Sequence, residues 1–191
     1  MKVVTVECRI EGLVPAMHHR FPLPEKPGDK RRKARQTVDD KCYMDEKGVF
    51  LPADSLRMML IGNRFRPGAA TILGNFMESR KGKSYRSFCA GCVWVKGPQD
   101  PLKVYYEPQR KTYDDVDIRS FVNATGGRDV EERPLVTRPW TLSFIVEITG
   151  GELTSDKVRE LFEVAGLRCG AGAYGPTFGR FQVTEWKIIA A

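Results

Sequence analysis

Four kinds of residue in this sequence have chemistry to offer. They are two adjacent histidines, a dense run of cations, a Cys-x-x-Cys pair and a late glycine-rich stretch with arginines and rings. His18 and His19 stand alone as imidazoles, with no partner pattern for a Ser/His/Asp or Cys/His constellation. Either could serve as general base on an RNA 2′-hydroxyl, assisted by Tyr43 or Lys41, so metal-independent ribonuclease chemistry is one expectation to test. The ordinary alternative for such a pair is packing or phosphate contact. The carboxylates form no paired Asp-x-Asp/Glu pattern of a two-metal nuclease, and no metal or cofactor is expected. Cys89 and Cys92 lack a second ligand pair for zinc. Their neighbours Phe88, Val93, Trp94 and Val95 read as strand, so the cysteines are expected as small buried hydrophobes rather than a redox motif opening a helix.

The glycine-rich stretch, residues 166–181, holds five glycines among sixteen residues, interleaved with Arg168, Tyr174, Phe178 and Arg180. Glycine reaches φ > 0 and lets backbone approach a ligand, and N–H groups exposed in such a loop can hold phosphate oxygens. Gly170-x-Gly172-x-x-Gly175 matches the dinucleotide fingerprint by letter. It follows a helix and precedes a strand, however, the reverse of what that fingerprint requires. No Gly-Lys-Ser/Thr follows, so the stretch does not match the phosphate loop of nucleoside triphosphatases. A turn-forming connector and a loop touching an extended polyanion are the two readings left, and the second is preferred.

The cations point the same way. The chain of 191 residues carries 31 Lys+Arg against 24 Asp+Glu, a net charge of +7. Lys30, Arg31, Arg32, Lys33 and Arg35 fall within six positions. The segment from about 24 to 41 has no apolar periodicity, so it reads as a solvated basic arm that orders on nucleic acid. Arginine grips phosphate as a bidentate fork, and an aromatic ring stacks a base for about 1–3 kcal/mol. Arg20, Arg57, Arg64 and Arg86 add to this mixture in segments that one core could gather. A polyanionic partner, single-stranded RNA or DNA, is therefore expected.

Elements to position these residues are legible from period. Val4, Val6, Cys8 and Ile10 alternate in an opening strand ending at Gly12. Residues 41–50 read as a hairpin turning at Asp45–Gly48. A helix starts after Pro52 with Asp54 as N-cap and Leu56, Met59 and Leu60 on its core stripe. Ile72, Leu73, Phe76 and Met77 suggest a second helix over 68–80, followed by a basic turn over 80–86. Strands are expected at about 87–96, 102–107, 116–122 and 140–149. Asn123 to Pro139 reads as a polar excursion. A helix carries Val158, Leu161, Phe162 and Ala165 on one face, capped by Thr154 or Ser155 and ended by Gly166 at C′. A last strand runs from Phe181 to Ile189. The order is that of a split β-α-β, a ferredoxin-like, RNA-recognition-motif-like α+β fold in a single domain, 1–191. Hydrophobic residues make up 41% of the chain, enough to fill a core without metal or disulfide. Five scattered cysteines and the lack of any apolar run of membrane-spanning length lead to the expectation of a soluble, cytoplasmic protein with no membrane partner.

Three segments in this order resemble the RAMP superfamily of repeat-associated proteins, in particular the backbone subunits of CRISPR effector complexes. They are the opening strand with Ile10-Glu-Gly-Leu13, the helix entry Leu51-Pro-Ala-Asp-Ser-Leu-Arg57, which resembles the family's I-P-x-S-S-L-R, and the terminal glycine loop with Phe178-Gly-Arg-Phe181. The resemblance implies a modified RNA-recognition fold that binds a guide strand without catalysis and associates with copies of itself and with other effector subunits. Carried onto this chain, it implies phosphate contacts by Arg20, Arg57 and Arg64, a glycine loop acting near Arg168 and Arg180, and a base-spacing hairpin over 123–139. The chain is short for that family, so a solitary relative, for instance phage-encoded, is equally implied.

Overall fold

The computed structural model describes residues 2–21, 36–64, 66–74, 85–122, 125–151 and 153–191. In chain order the elements are β1 (Val3–Gly12), β2 (Ala16–Met17), a 3-10 turn (Asp39–Lys41), β3 (Met44–Asp45), β4 (Gly48–Pro52), α1 (Ala53–Ile61), α2 (Ala69–Gly74) and α3 (Tyr85–Cys92). There follow β5 (Val93–Lys96), β6 (Lys103–Glu107), β7 (Asp115–Val122), β8 (Arg128–Val136), β9 (Thr141–Thr149), α4 (Ser155–Arg168) and β10 (Phe181–Ala190). The basic cluster Lys30, Arg31, Arg32, Lys33 and Arg35 lies outside the described residues, as do Phe76, Met77 and the 80–84 part of the expected basic turn.

The main sheet is antiparallel throughout, in the order β10-β1-β9-β6-β4-β3, with β5 joining β9 alongside β6. Reduced to β1, α1, β5/β6, β9, α4 and β10, this is the ferredoxin-like α+β arrangement. Alternation fixes which face is buried. Val6, Cys8 and Ile10 of β1 and Leu142, Phe144, Val146 and Ile148 of β9 all face one core. They meet Leu56 and Leu60 of α1 and Val158, Leu161, Phe162 and Ala165 of α4 there. The Phe162 ring sits between those of Phe144 (5.5 Å) and Trp186 (5.8 Å), which seats α4 on the sheet. Thr154 caps α4 by accepting the Lys157 N–H at 3.3 Å.

A second sheet, β2-β8-β7, stands beside the first. Its long hairpin pairs Asp115 with Leu135 through to Val122 with Arg128. The expected excursion over 123–139 therefore begins earlier, in β7, and ends earlier, since Leu135 and Val136 are buried where β2 pairs with them.

Other expectations shift for identifiable reasons. Residues 85–92 are helical rather than strand: Tyr85, Phe88, Cys89 and Cys92 recur at i, i+3, i+4, i+7, and the strand begins only at Val93. Cys89 is nevertheless a buried hydrophobe as expected, and burial pushes its thiol up to about 12. Asp54 does not cap α1, because Pro52 holds the cap position without a side-chain bond. Asp54 lies in the first turn instead, 3.4 Å from Arg57. Gly166 lies inside α4, not past its end. A Cβ there would meet the Phe181 carbonyl oxygen at 2.3 Å, so the glycine lets helix and strand touch. The left-handed glycine after the helix is Gly170 at φ +75. Finally, residues 36–41 form a compact turn in which Thr37 and Asp40 bond each other, with Lys41 buried.

Candidate functional site

Residues 169–180 pack against the end of β1 and against β2. Ala173 N–H donates to the Met17 carbonyl (2.8 Å), Gly179 N–H to that of Pro15 (2.8 Å), and Ala171 N–H to that of Gly179 (2.8 Å). Gly172 at φ +85 and Gly179 at φ +71 make those approaches; a Cβ on Gly179 would stand 1.9 Å from the Ala171 oxygen. These N–H groups are bonded inside the protein, so the expectation that they wait for phosphate oxygens is corrected at those positions. What this side of the molecule offers instead is side chains.

A cleft of about 490 Å³ runs between β2, α1 and this loop. Phe21, Tyr43 and Met58 give it ring and thioether surface, and His19, Asn63 and Arg66 give it polar groups. Arg66 braces the far wall: its Nη2 donates to the Cys169 carbonyl at the end of α4 at 2.6 Å. That position suits a cation, because α4 presents unpaired carbonyls there. Next to the lining residue Tyr43, the Arg20 guanidinium carbon lies 6.0 Å from the ring centre.

The two histidines are both engaged. His18 is fully buried, its Nδ1 accepts the Tyr43 N–H at 3.2 Å, and so its Nε2–H donates to the Tyr106 hydroxyl at 3.0 Å. Burial lowers its pKa to about 3, and the ring is neutral. His19 accepts the Arg133 Nε–H on Nδ1 at 3.0 Å. A guanidinium can only donate, so that nitrogen carries a lone pair, and the 3.7 Å approach of Glu131 to it is no ion pair. Burial lowers the His19 pKa; Glu131 opposes this, while Arg133 and Lys41 add to it. With Nδ1 occupied and the proton on Nε2, neither imidazole keeps a free lone pair to accept a substrate proton.

Next to His19 the hairpin meets the glycine loop through cations laid on rings. Arg133 of β8 lies 4.4 Å from the centre of the Tyr174 ring, and Arg119 of β7 lies 4.8 Å from that of Phe178. Tyr174 is exposed and Phe178 buried. Register explains the placement, because Asp117 stands opposite Arg133 and Arg119 opposite Glu131 on one face of the hairpin.

The expected site residues therefore divide. His19, Tyr174 and Phe178 come together at this seam, with Arg20 near Tyr43 of the adjoining cleft. Arg57 does not join them. Its Nε donates to the Val93 carbonyl at 2.8 Å, another nitrogen bonds the Ala90 carbonyl, and its guanidinium lies 4.2 Å from the Trp94 ring centre. Arg86 donates to the Ile61 carbonyl at 3.1 Å in the same corner. Arg64, Arg168 and Arg180 are exposed. Sequence reasoning passed over Arg66 and Arg119, and placed Arg133 in the polar excursion without making it a site residue. Only the strand register of the hairpin, not local composition, could have singled out Arg119 and Arg133.

Among the described residues no helix is long and apolar enough to cross a membrane, and no group of three or more His, Cys, Asp or Glu is placed to hold a metal. No family model matches the chain, and no curated protein does. Among solved structures, one chain from a cryo-EM structure of a Type III-B Cmr-beta complex bound to cognate target RNA aligns over 99% of this chain and 61% of its own length. The identity is 11% and the TM-score 0.47. This chain thus spans about three fifths of that neighbour, and a likeness so loose carries no argument about what it does.

Proposed function

We propose that the protein binds single-stranded RNA or DNA without catalysis and sets copies of itself along the strand, in the manner of the CRISPR backbone subunits its motifs resemble. The observation that carries this reading is the cleft beside the glycine loop. Rings, a thioether and the Arg66 guanidinium share its walls, and Arg20 lies near the lining ring of Tyr43, the mixture that takes bases on flat faces and phosphates on cations. Phe21 lines this cleft, and Lys30, Arg31, Arg32, Lys33 and Arg35 follow it in the sequence. Both imidazoles being bonded supports binding over cleavage. Other effector subunits are further partners under this reading.

Fluorescence anisotropy of a labelled homopolymer oligonucleotide across a salt series tests it. The logarithm of the affinity falls linearly with that of salt, and alanine at the five arm cations lowers the slope by about 0.7 for each phosphate they no longer neutralise. An unchanged slope removes the arm from the interface. Absence of binding at low salt overturns the proposal and leaves a protein-interaction module. Fragments ending in 2′,3′-cyclic phosphate, abolished in His18→Ala or His19→Ala, would instead establish the ribonuclease. Electron microscopy with and without a long strand tests the association of copies.

A further inference from the structure

Arg133 presents an anomaly that the cleft does not use. Its side chain is 3% exposed, its Nε is taken by His19 and its Nη2 by Glu131, yet Nη1 is buried and has no hydrogen-bond partner among the described residues. A buried donor left unpaired costs about 1–3 kcal/mol, and more when it belongs to a charged group. The charges around it do not balance either. Lys41 approaches the same Glu131 carboxylate at 3.4 Å and is itself buried, while His19 is held neutral. Asp117, opposite Arg133 on the hairpin, is held by Arg119, so three cations (Arg133, Lys41 and Arg119) face two carboxylates (Glu131 and Asp117) in a place largely closed to water. An uncompensated buried cation is unfavourable unless something negative completes it.

We propose that Arg133 Nη1 is an anion receptor completed by one phosphate group, with Lys41 adding charge from the far side of Glu131. The ligand chemistry is a tetrahedral phosphate oxygen, which a guanidinium edge accommodates with a charge-assisted bond. The cover over the guanidinium is a surface ring, Tyr174, 44% exposed and held at φ +53 by the turn around it. The ring lies 4.4 Å from the Arg133 guanidinium, and rotation about its own side-chain bonds is the motion by which the site is proposed to open. The inference builds on the binding reading above in one respect only: it names which arginine holds a phosphate of the strand. It stands or falls separately, because inorganic phosphate alone can test it.

The experiment is a melting series of the full chain in inorganic phosphate against chloride at equal ionic strength, on the native protein, Arg133→Gln, Glu131→Gln and Tyr174→Ala. Phosphate raises the melting temperature of the native chain and does not raise that of Arg133→Gln. Glu131→Gln removes the competing carboxylate, so it melts lower in chloride yet gains more from phosphate, with a dissociation constant several-fold tighter. Tyr174→Ala removes the cover and shifts the constant the same way. If Arg133→Gln does not fold, the opposite movements of Glu131→Gln in the two salts still decide. Equal phosphate effects in the native chain, Glu131→Gln and Tyr174→Ala overturn the proposal, as does no effect in any. A 5′-phosphorylated oligonucleotide binding more tightly than its 5′-hydroxyl twin assigns the site to a terminal phosphate; equal affinity of the two, weakened in Arg133→Gln, assigns it to an internal phosphodiester. Oligonucleotide binding that persists with no phosphate effect sinks this inference and leaves the binding reading standing.

Discussion

Two corners of the molecule are built from the same parts and end differently. At the junction of α1, α3 and β5, Arg57 lies against Trp94; at the seam of hairpin and glycine loop, Arg133 lies against Tyr174. Arg57 gives its nitrogens to the carbonyls of Val93 and Ala90 and to Asp54. Those carbonyls lie where α3 runs into β5, in backbone held by the pairing of β5 with β9. Arg133 bonds only side chains, His19 and Glu131, and keeps one nitrogen unpaired. An arginine whose three nitrogens are each bonded to the protein clamps structure. One with a donor to spare, in a cluster with excess positive charge, is in a state that a ligand can complete. The sequence motif resemblance pointed to the first corner, whereas the electrostatics point to the second.

The contrast can be broken most forcefully at Arg57. Arg57→Ala leaves two carbonyls without their charged donor and should cost about 3 kcal/mol in urea unfolding, with oligonucleotide affinity changed no more than by removal of any one surface cation. A tenfold drop in affinity at unchanged stability would make Arg57 the ligand contact and erase the distinction. On the other side, Gly172→Ala forces a Cβ to 2.5 Å from the Met17 oxygen at φ +85. It should cost about 2 kcal/mol and, by lifting the loop from β2, reduce the response to phosphate as well. Reduced stability with the phosphate response intact would show that the loop does not hold the cover over Arg133.

Acid sharpens the comparison more gently. His18 is neutral in the fold with its pKa lowered to about 3, against an ordinary value of 6.5. The unfolded chain therefore binds the extra proton first, and stability is full above about pH 6.5 and declines as pH falls towards the folded value. The slope is at most about 1.4 kcal/mol per pH unit, so about 2 kcal/mol is lost by pH 5. Urea midpoints at pH 7, 6 and 5 should follow this, and His18→Asn should flatten the curve while lowering its plateau. A native curve flat over that range would mean His18 is not held neutral by burial.

Legibility in the sequence followed the range of the forces involved. Period alone placed β1, β9 and the core stripe of α4, because Leu142, Phe144, Val146 and Ile148 had only one face to bury. Tyr85, Phe88, Cys89 and Cys92 show helical spacing just as clearly, yet the apolar run Val93-Trp-Val95 beside them suggested strand for the whole. The glycine loop was visible as glycines, but not what they are for. Whether an N–H points at solvent or at the Met17 carbonyl depends on a strand more than 150 residues earlier in the chain.

The same holds for the arginines. By itself the sequence determined the ferredoxin-like order of elements, the net charge of +7 and the presence of cations among rings, since these depend on neighbours in the chain and on composition. Tertiary structure alone decided that Arg57 clamps α3 to β5 while Arg133 is buried with a nitrogen to spare. Hydrogen-bond satisfaction is settled between residues far apart, here 114 positions between His19 and Arg133, and no local pattern encodes it.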